Sequence, residues 1–167
     1  MVRIILFLSL FIFVGCGYRP VAHYTHQTAT KKTYLKVVVD RREPHNALLL
    51  RDELRRVMHD RLGISVSYDS SLKEKLIVSY DHISYKVLGY DIDGYVDRYR
   101  AYITLHFRYH RDGKLIVRDI TTFHEADISR SGVASSRIKQ DAIWRATQKG
   151  VDQFVAYIAS RRVRGDR

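Results

Sequence analysis

The chain contains eight histidines, a residue type whose side chain suits both catalysis and metal binding. His106 and His110 are four apart, a spacing that brings two side chains together on a helix but separates them by about 13 Å along a strand. The surrounding residues alternate in polarity, which predicts a strand. The sequence contains no His-Glu-x-x-His motif, no Gly-x-Ser-x-Gly motif and no set of metal-spaced cysteines. We therefore expect a protein that is not an enzyme and binds no metal.

The single cysteine, Cys16, follows a basic start and an apolar segment of residues 4–14. This pattern predicts a secretory signal peptide over residues 1–15, because the segment is too short to cross a bilayer. Gly15-Cys16 resembles a bacterial lipoprotein signal, in which the cysteine thiol is joined to diacylglycerol and the new N-terminus is acylated. Gly17 stands where an aspartate would favour the inner membrane. We expect Cys16 to be lipidated and to anchor the protein; an intermolecular disulfide or a free thiol are the alternatives.

The formal net charge of the chain is +11 at pH 7. For an exported protein this charge favours anionic partners, such as lipopolysaccharide phosphates or anionic lipid head groups, over nucleic acid. A generally solubilising charge is the alternative. We expect no cofactor other than the covalent diacylglycerol and N-acyl chain.

The composition along the chain divides it into four segments. Residues 1–15 are the predicted signal peptide, and residues 16–33, without periodicity, are the predicted lipidated cysteine and tether. Residues 34–160 are long enough for one compact domain with its own core. Residues 161–167 are a basic tail.

The first half of the domain alternates between strand and helix patterns. Residues 34–39 are a β-branched run that predicts a strand. Residues 47–62 have apolar positions three and four apart and predict an amphipathic helix, capped by Asn46 and ended by Gly63. Residues 64–68 alternate and predict a short strand.

The second half predicts a long hairpin followed by a helix. In the strand at residues 76–87 the apolar positions change parity, which predicts a β-bulge near Asp81 and His82. Residues 95–109 alternate most clearly, and Asp112-Gly113 predicts a tight turn into a strand at residues 114–127. These strands are long enough to project beyond the helices.

A polar loop is predicted at residues 129–136, and a second helix from about Ile138 to Ser160. Gly150 inside this helix indicates close backbone packing. The expected fold is α+β, with two helices packed on one face of a mainly antiparallel four-stranded sheet.

One face of the 95–109 strand is cationic, with Arg98, Arg100 and Arg108 at even positions. Lys86 and Arg118, on neighbouring strands, are expected to join this patch. Arginine suits bidentate binding of phosphate or carboxylate groups. We predict a site for lipopolysaccharide or for a protein partner here, with a merely solvated sheet face as the alternative.

The sequence resembles the LptE family of lipopolysaccharide-assembly lipoproteins. The resemblance rests on the motif Cys16-Gly17-Tyr18-Arg19-Pro20, the following strand and amphipathic helix, the long hairpin and the C-terminal helix, in the same order. It implies a two-helix, four-stranded domain that plugs the outer-membrane β-barrel LptD, assists its assembly and binds lipopolysaccharide. It also implies a lipid-anchored location at the periplasmic face of the outer membrane.

Two other functions fit the anchor and the small domain. One is an outer-membrane lipoprotein that activates a cell-wall synthase, although such a protein would be expected to have a longer tether. The other is a structural envelope lipoprotein, which would have no stable barrel partner. The arginine face would serve lipopolysaccharide in one version of the LptE hypothesis and acidic groups of the barrel in another.

Overall fold

The computed structural model describes residues 32–38, 44–128 and 132–165. The predicted signal peptide, Cys16 and the predicted tether as far as residue 31 lie outside these residues. The described elements are β1 (Lys32–Val38), α1 (Pro44–Leu62), β2 (Ser65–Ser67), β3 (Lys75–Tyr90), β4 (Val96–Arg111), β5 (Lys114–Asp127) and α2 (Gly132–Gly165).

The sheet has five strands in the order β2-β1-β3-β4-β5. The α+β class and the two helices agree with the sequence, but the prediction of a four-stranded, mainly antiparallel sheet was wrong. Strand β1 is parallel to both β2 and β3, whereas β3, β4 and β5 are antiparallel. The reason is the helical connection through α1, since a strand-helix-strand crossover returns the chain parallel to its start.

The core lies between one face of the sheet and the two helices. Helix α1 contributes apolar residues such as Leu50, Leu54 and Met58, and α2 contributes Phe154 and Ile158, all at most 1% exposed. The rings of Phe107 and Phe154 stack with their centroids 4.1 Å apart, which ties β4 to α2.

The β3–β4–β5 hairpins agree closely with the sequence pattern. The register shifts between Tyr80 and His82, so Asp81 is the bulged residue, and the predicted β-bulge is confirmed. Asp112 and Gly113 have φ values of 49° and 73°, as a two-residue hairpin turn of type I′ requires. Strand β5 pairs with β4 along its whole length without a shift.

Both helices begin earlier than the sequence pattern indicates. Helix α1 starts at Pro44, where the missing N–H of proline costs nothing in the first turn. It ends at Leu62, directly before the predicted stop at Gly63, which has a φ of 61°. Helix α2 starts at Gly132, inside the predicted polar loop, and continues past Ser160 to Gly165.

Gly150 lies where α2 crosses β4 and β5. A Cβ atom at this position would be 2.9 Å from Cδ1 of Leu105. Thr122 on β5 donates a hydrogen bond to the carbonyl of Ala146, one turn earlier in α2, at 2.7 Å. The close packing predicted at Gly150 is therefore confirmed.

Candidate functional site

The open face of the sheet is the face opposite the two helices, and no described element packs on it. Alternation along β4 defines it: Tyr99 is 2% exposed and Ala101, Ile103, Leu105, Phe107 and Tyr109 are fully buried. The side chains between them, from Arg98 to His110, therefore point to the open face.

At one end of the open face, the tip-side cluster consists of Lys86, Arg98 and Arg100. Lys86 is exposed and stands opposite Arg100 in the β3–β4 register. Both arginines are paired with acids on β5. Nε of Arg98 is 3.0 Å from Asp127 Oδ1, and Nε of Arg100 is 3.0 Å from Glu125 Oε1. This cluster therefore already contains its own counter-charges.

Arg100 is the most strongly held of these cations. It donates a hydrogen bond of 3.0 Å to the Tyr102 hydroxyl, and its guanidinium carbon lies 4.5 Å from the centroid of the Phe123 ring. The hydrogen bonds to Tyr102 and Glu125 raise the pKa of Arg100. Arg100 is therefore a fixed, permanently charged guanidinium that lies against the rings of Tyr102 and Phe123.

At the other end, the turn-side cluster consists of Lys36, Lys75 and Arg108. Arg108 stands opposite Ile77, which in turn stands opposite Lys36 on β1, and Lys75 is the next residue of β3 on this face. No described residue forms an ion pair or side-chain hydrogen bond with these three side chains. Exposed Leu115 and Val117 lie beside them on β5. The cluster combines positive charge that no described residue neutralises with apolar surface.

Between the two clusters, the open face carries neutral and paired groups. Thr104 and Thr121 share a hydrogen bond of 2.9 Å, and His106 is hydrogen-bonded to Asp119. Arg100 and Arg108 are eight residues apart on one strand, or roughly 27 Å at the usual rise. The predicted patch is therefore divided, with Arg108 at one end and Arg98, Arg100 and Lys86 at the other.

Arg118 does not belong to the patch, contrary to the expectation from the sequence. It stands opposite the buried Phe107, which places it on the helix side of β5. Its guanidinium carbon lies 4.3 Å from the ring centroid of Tyr157 on α2. The reason lies in the register: the odd-numbered residues of β5 stand opposite the even-numbered arginines of β4 on the open face. The even-numbered Arg118 therefore points to the other face.

The sequence pattern did not reveal Lys36 and Lys75 as part of the site. Their proximity to Arg108 depends on β1 being parallel to β3, which neither strand encodes by itself. The acidic partners of Arg98 and Arg100, in contrast, could have been predicted from the sequence. A two-residue turn at Asp112-Gly113 fixes the register and places Asp127 and Glu125 opposite the two arginines.

The family of this chain follows from a comparison with protein-family models. The model of LptE, described as lipopolysaccharide-assembly, matches residues 30–158, well over half of the chain. The chain belongs to the LptE family. The comparison with curated protein sequences found no significant match.

Several solved structures share this LptE-family fold. The rare lipoprotein B of Shewanella oneidensis superposes with a TM-score of 0.59 at 17% identity, covering 82% of this chain and 100% of that one. A putative lipoprotein of Caulobacter crescentus gives 0.53 at 17% identity, with coverages of 80% and 92%. A minor lipoprotein of Acinetobacter baumannii gives 0.52 at 15% identity, with coverages of 79% and 92%. At these identities the likeness establishes the fold.

The remaining features of the LptE-family chain concern membranes and metals. Neither described helix has an apolar stretch that would span a bilayer. Within the described ranges, no group of three or more histidine, cysteine, aspartate or glutamate side chains is arranged to hold a metal ion. The expectations that the protein binds no metal and is not an enzyme stay predictions.

Proposed function

We propose that this protein is a lipopolysaccharide-assembly lipoprotein of the outer membrane. Lipidated Cys16 would anchor it at the periplasmic face, and the domain would plug the β-barrel LptD and assist its assembly. The open face would bind lipopolysaccharide during delivery to the cell surface. The observation that carries this proposal is the match of residues 30–158 to the LptE family model.

The shape of the sheet supports a role as a plug. Helices cover only one face, while the other leaves apolar side chains in water, including Val117 at 48% and Phe123 at 43% exposure. Such residues are commonly covered by a partner when they lie together with arginine and tyrosine. A plug inside a barrel would bury this face without any change in the fold.

The anchor supports the same arrangement by raising the effective concentration of the domain. A diacylglycerol and an N-acyl chain on Cys16 would give stable attachment at about 0.8 kcal/mol per buried CH2. Association with a barrel in the same membrane then becomes nearly intramolecular. The anchor would thereby raise the apparent affinity for the barrel, so that the direct contacts of this small domain could be weaker.

The turn-side cluster is the best candidate for the phosphates of lipopolysaccharide. Lys36, Lys75 and Arg108 lack counter-charges among the described residues, whereas Arg98 and Arg100 have Asp127 and Glu125. An anion bound at the tip-side cluster would have to displace a carboxylate. The apolar side chains beside Arg108 would suit the acyl chains of the same molecule.

The first experiment is a mild-detergent pull-down of the tagged, full-length protein from outer membranes. Stoichiometric recovery of a large β-barrel is the expected result. Recovery of a cell-wall synthase would favour that alternative function, and recovery of no partner would favour a structural envelope lipoprotein. A Cys16→Ser variant should lower the yield of the complex by removing the anchor.

A second experiment tests lipopolysaccharide binding and assigns it to one cluster. The variant Lys36→Glu/Lys75→Glu/Arg108→Glu should lose most binding to immobilised lipopolysaccharide. Lys86→Glu/Arg98→Glu/Arg100→Glu is the matched control with the same charge change. Equal retention by both variants would contradict a role for the open face, and loss in the control alone would assign the site to the tip-side cluster.

A further inference from the structure

The hairpin between β3 and β4 ends in an exposed apolar tip, defined here as residues 88–97. Ile92 is 96% exposed, Tyr95 is 73% exposed and Tyr90 is 63% exposed. They lie at the end of the hairpin formed by β3 and β4, the two longest strands of the sheet. These three residues include the most exposed large apolar side chains of the described chain.

The tip is a fixed structure and not a loose loop. The Asp91 carboxylate accepts hydrogen bonds from the backbone N–H of Asp93 at 3.0 Å and of Tyr95 at 2.9 Å. The Asp91 N–H donates to the Tyr95 carbonyl at 2.7 Å, and the Gly94 N–H donates to the Asp91 carbonyl at 3.0 Å. Because these bonds order the turn in advance, binding through Ile92 would lose little conformational entropy.

The second hairpin of the same sheet shows that an apolar tip is not needed to make a turn. Asp112-Gly113 joins β4 to β5 with Arg111 and Lys114 as the flanking pair. That turn is polar throughout and the tip is not. The apolar residues at the tip therefore call for an explanation beyond the folding of the hairpin.

The charge of the tip favours a protein over a membrane as its partner. The turn of the tip carries Asp91 and Asp93, and residues 88–97 contain no lysine or arginine, in a chain with a net charge of +11. Anionic head groups and lipopolysaccharide phosphates would repel these carboxylates, and an aspartate inserted into a bilayer is costly. A pocket with an apolar floor and a basic rim would satisfy both features.

We propose that the tip is a docking knob that inserts Ile92, between Tyr90 and Tyr95, into an apolar, basic-rimmed pocket on the barrel partner. This inference rests on the proposed function, which supplies the barrel. Tyrosine is one of the residue types that dominate binding energy in protein interfaces, and Ile92 adds apolar area between the two tyrosines of this rigid support. The knob would fix the orientation of the domain inside the barrel.

The test compares co-purification of the barrel by full-length variants. Tyr90→Ser/Ile92→Ser should reduce recovery at least tenfold, and Asp93→Lys should reduce it several-fold through repulsion at the rim. Leu48→Ser is the control, because Leu48 is an exposed apolar residue on α1 at 50% exposure. Thermal unfolding should be nearly unchanged in the tip variants, since Tyr90, Ile92 and Asp93 are all exposed.

A photocrosslink identifies what the tip contacts. Ile92 is replaced by p-benzoylphenylalanine, with the same residue at Lys114 as the control, and cells are irradiated. A crosslink from position 92 to the barrel supports the inference, whereas a crosslink to phospholipid or lipopolysaccharide overturns it.

The outcomes also separate this inference from the proposed function. If the wild-type protein recovers the barrel and Tyr90→Ser/Ile92→Ser recovers as much, only the docking knob is wrong. If the wild-type protein recovers no barrel, the proposed function fails and the knob fails with it.

Discussion

The two faces of strand β4 follow different physical rules although their residues alternate along one chain. On the helix side, six consecutive inward positions from Tyr99 to Tyr109 are at most 2% exposed and share one apolar core. On the open side, charged, aromatic and hydroxyl side chains pair across strands, as Arg98 does with Asp127 and Thr104 with Thr121. The difference indicates that stability depends on the helix side, whereas the open side is the face that the proposed function assigns to partner binding.

This division means that neighbouring residues should respond very differently to substitution. Burial of a large side chain contributes a few kcal/mol, whereas a solvent-exposed ion pair contributes about 1 kcal/mol or less. The faces would be wrongly assigned if a substitution on the open face cost several kcal/mol, or if removal of a large side chain on the helix side cost about 1 kcal/mol or less.

The largest contrast is expected between Phe107 and Arg108. Phe107→Ala should lower the free energy of unfolding by about 4 kcal/mol, because it removes a fully buried ring stacked on Phe154. Arg108→Ala should change it by less than about 0.5 kcal/mol. Urea unfolding followed by circular dichroism measures both, and similar losses in the two variants would contradict the comparison.

A second test concerns the contact between α2 and the buried face. Gly150→Val should lower the free energy of unfolding by about 3 kcal/mol, because a Cβ alone would be 2.9 Å from Leu105 Cδ1. The additional Leu105→Ala substitution provides the check. If crowding is the cause, Gly150→Val should cost much less in a Leu105→Ala background than in the wild type.

Sequence alternation was sufficient for β4 because the strand is long and covered on one side only. Its buried positions, the bulge at Asp81 and the turn at Asp112-Gly113 all follow from local patterns. The register of a two-residue turn would also have placed Arg118 opposite Phe107 and so on the helix side. The prediction for Arg118 was wrong because the cations were grouped by strand, without using the register to decide which face each one occupies.

Other features depend on long-range packing and had no local signal. A short strand such as β1 does not encode its neighbours, so its parallel position between β2 and β3 and the nearness of Lys36 to Arg108 could not be predicted. The start of α2 at Gly132 was missed because glycine and serine are weak helix formers.

Charge reversal on the open face is expected to have a smaller effect on stability. Arg98→Glu/Arg100→Glu/Arg108→Glu should remain folded but lose about 1 kcal/mol, because new glutamates face Asp127 and Glu125 across the strands. Adding Asp127→Arg and Glu125→Arg should restore the loss by re-forming pairs of opposite charge. An unfolded triple variant would mean that these side chains do not face outward.

The smallest effect concerns pH and His124, which lies on the helix side of β5. Burial, followed by the nearby charges of Lys149 and Arg145, lowers the pKa of His124 from its ordinary value of 6.5. The unfolded chain therefore binds a proton at a higher pH than the folded chain. The stability from neutral His124 is present above pH 6.5 and is lost as the pH falls through the lower folded pKa.

The measurement is the unfolding free energy of the wild-type protein and of His124→Gln between pH 7.5 and pH 5. The wild-type protein should lose more stability than the variant over this interval, by less than about 1 kcal/mol. Lys149→Ala is the matched control, because removing that cation should raise the pKa of His124 and reduce the pH dependence. Parallel pH profiles for all three proteins would contradict the lowered pKa of His124 on the covered face.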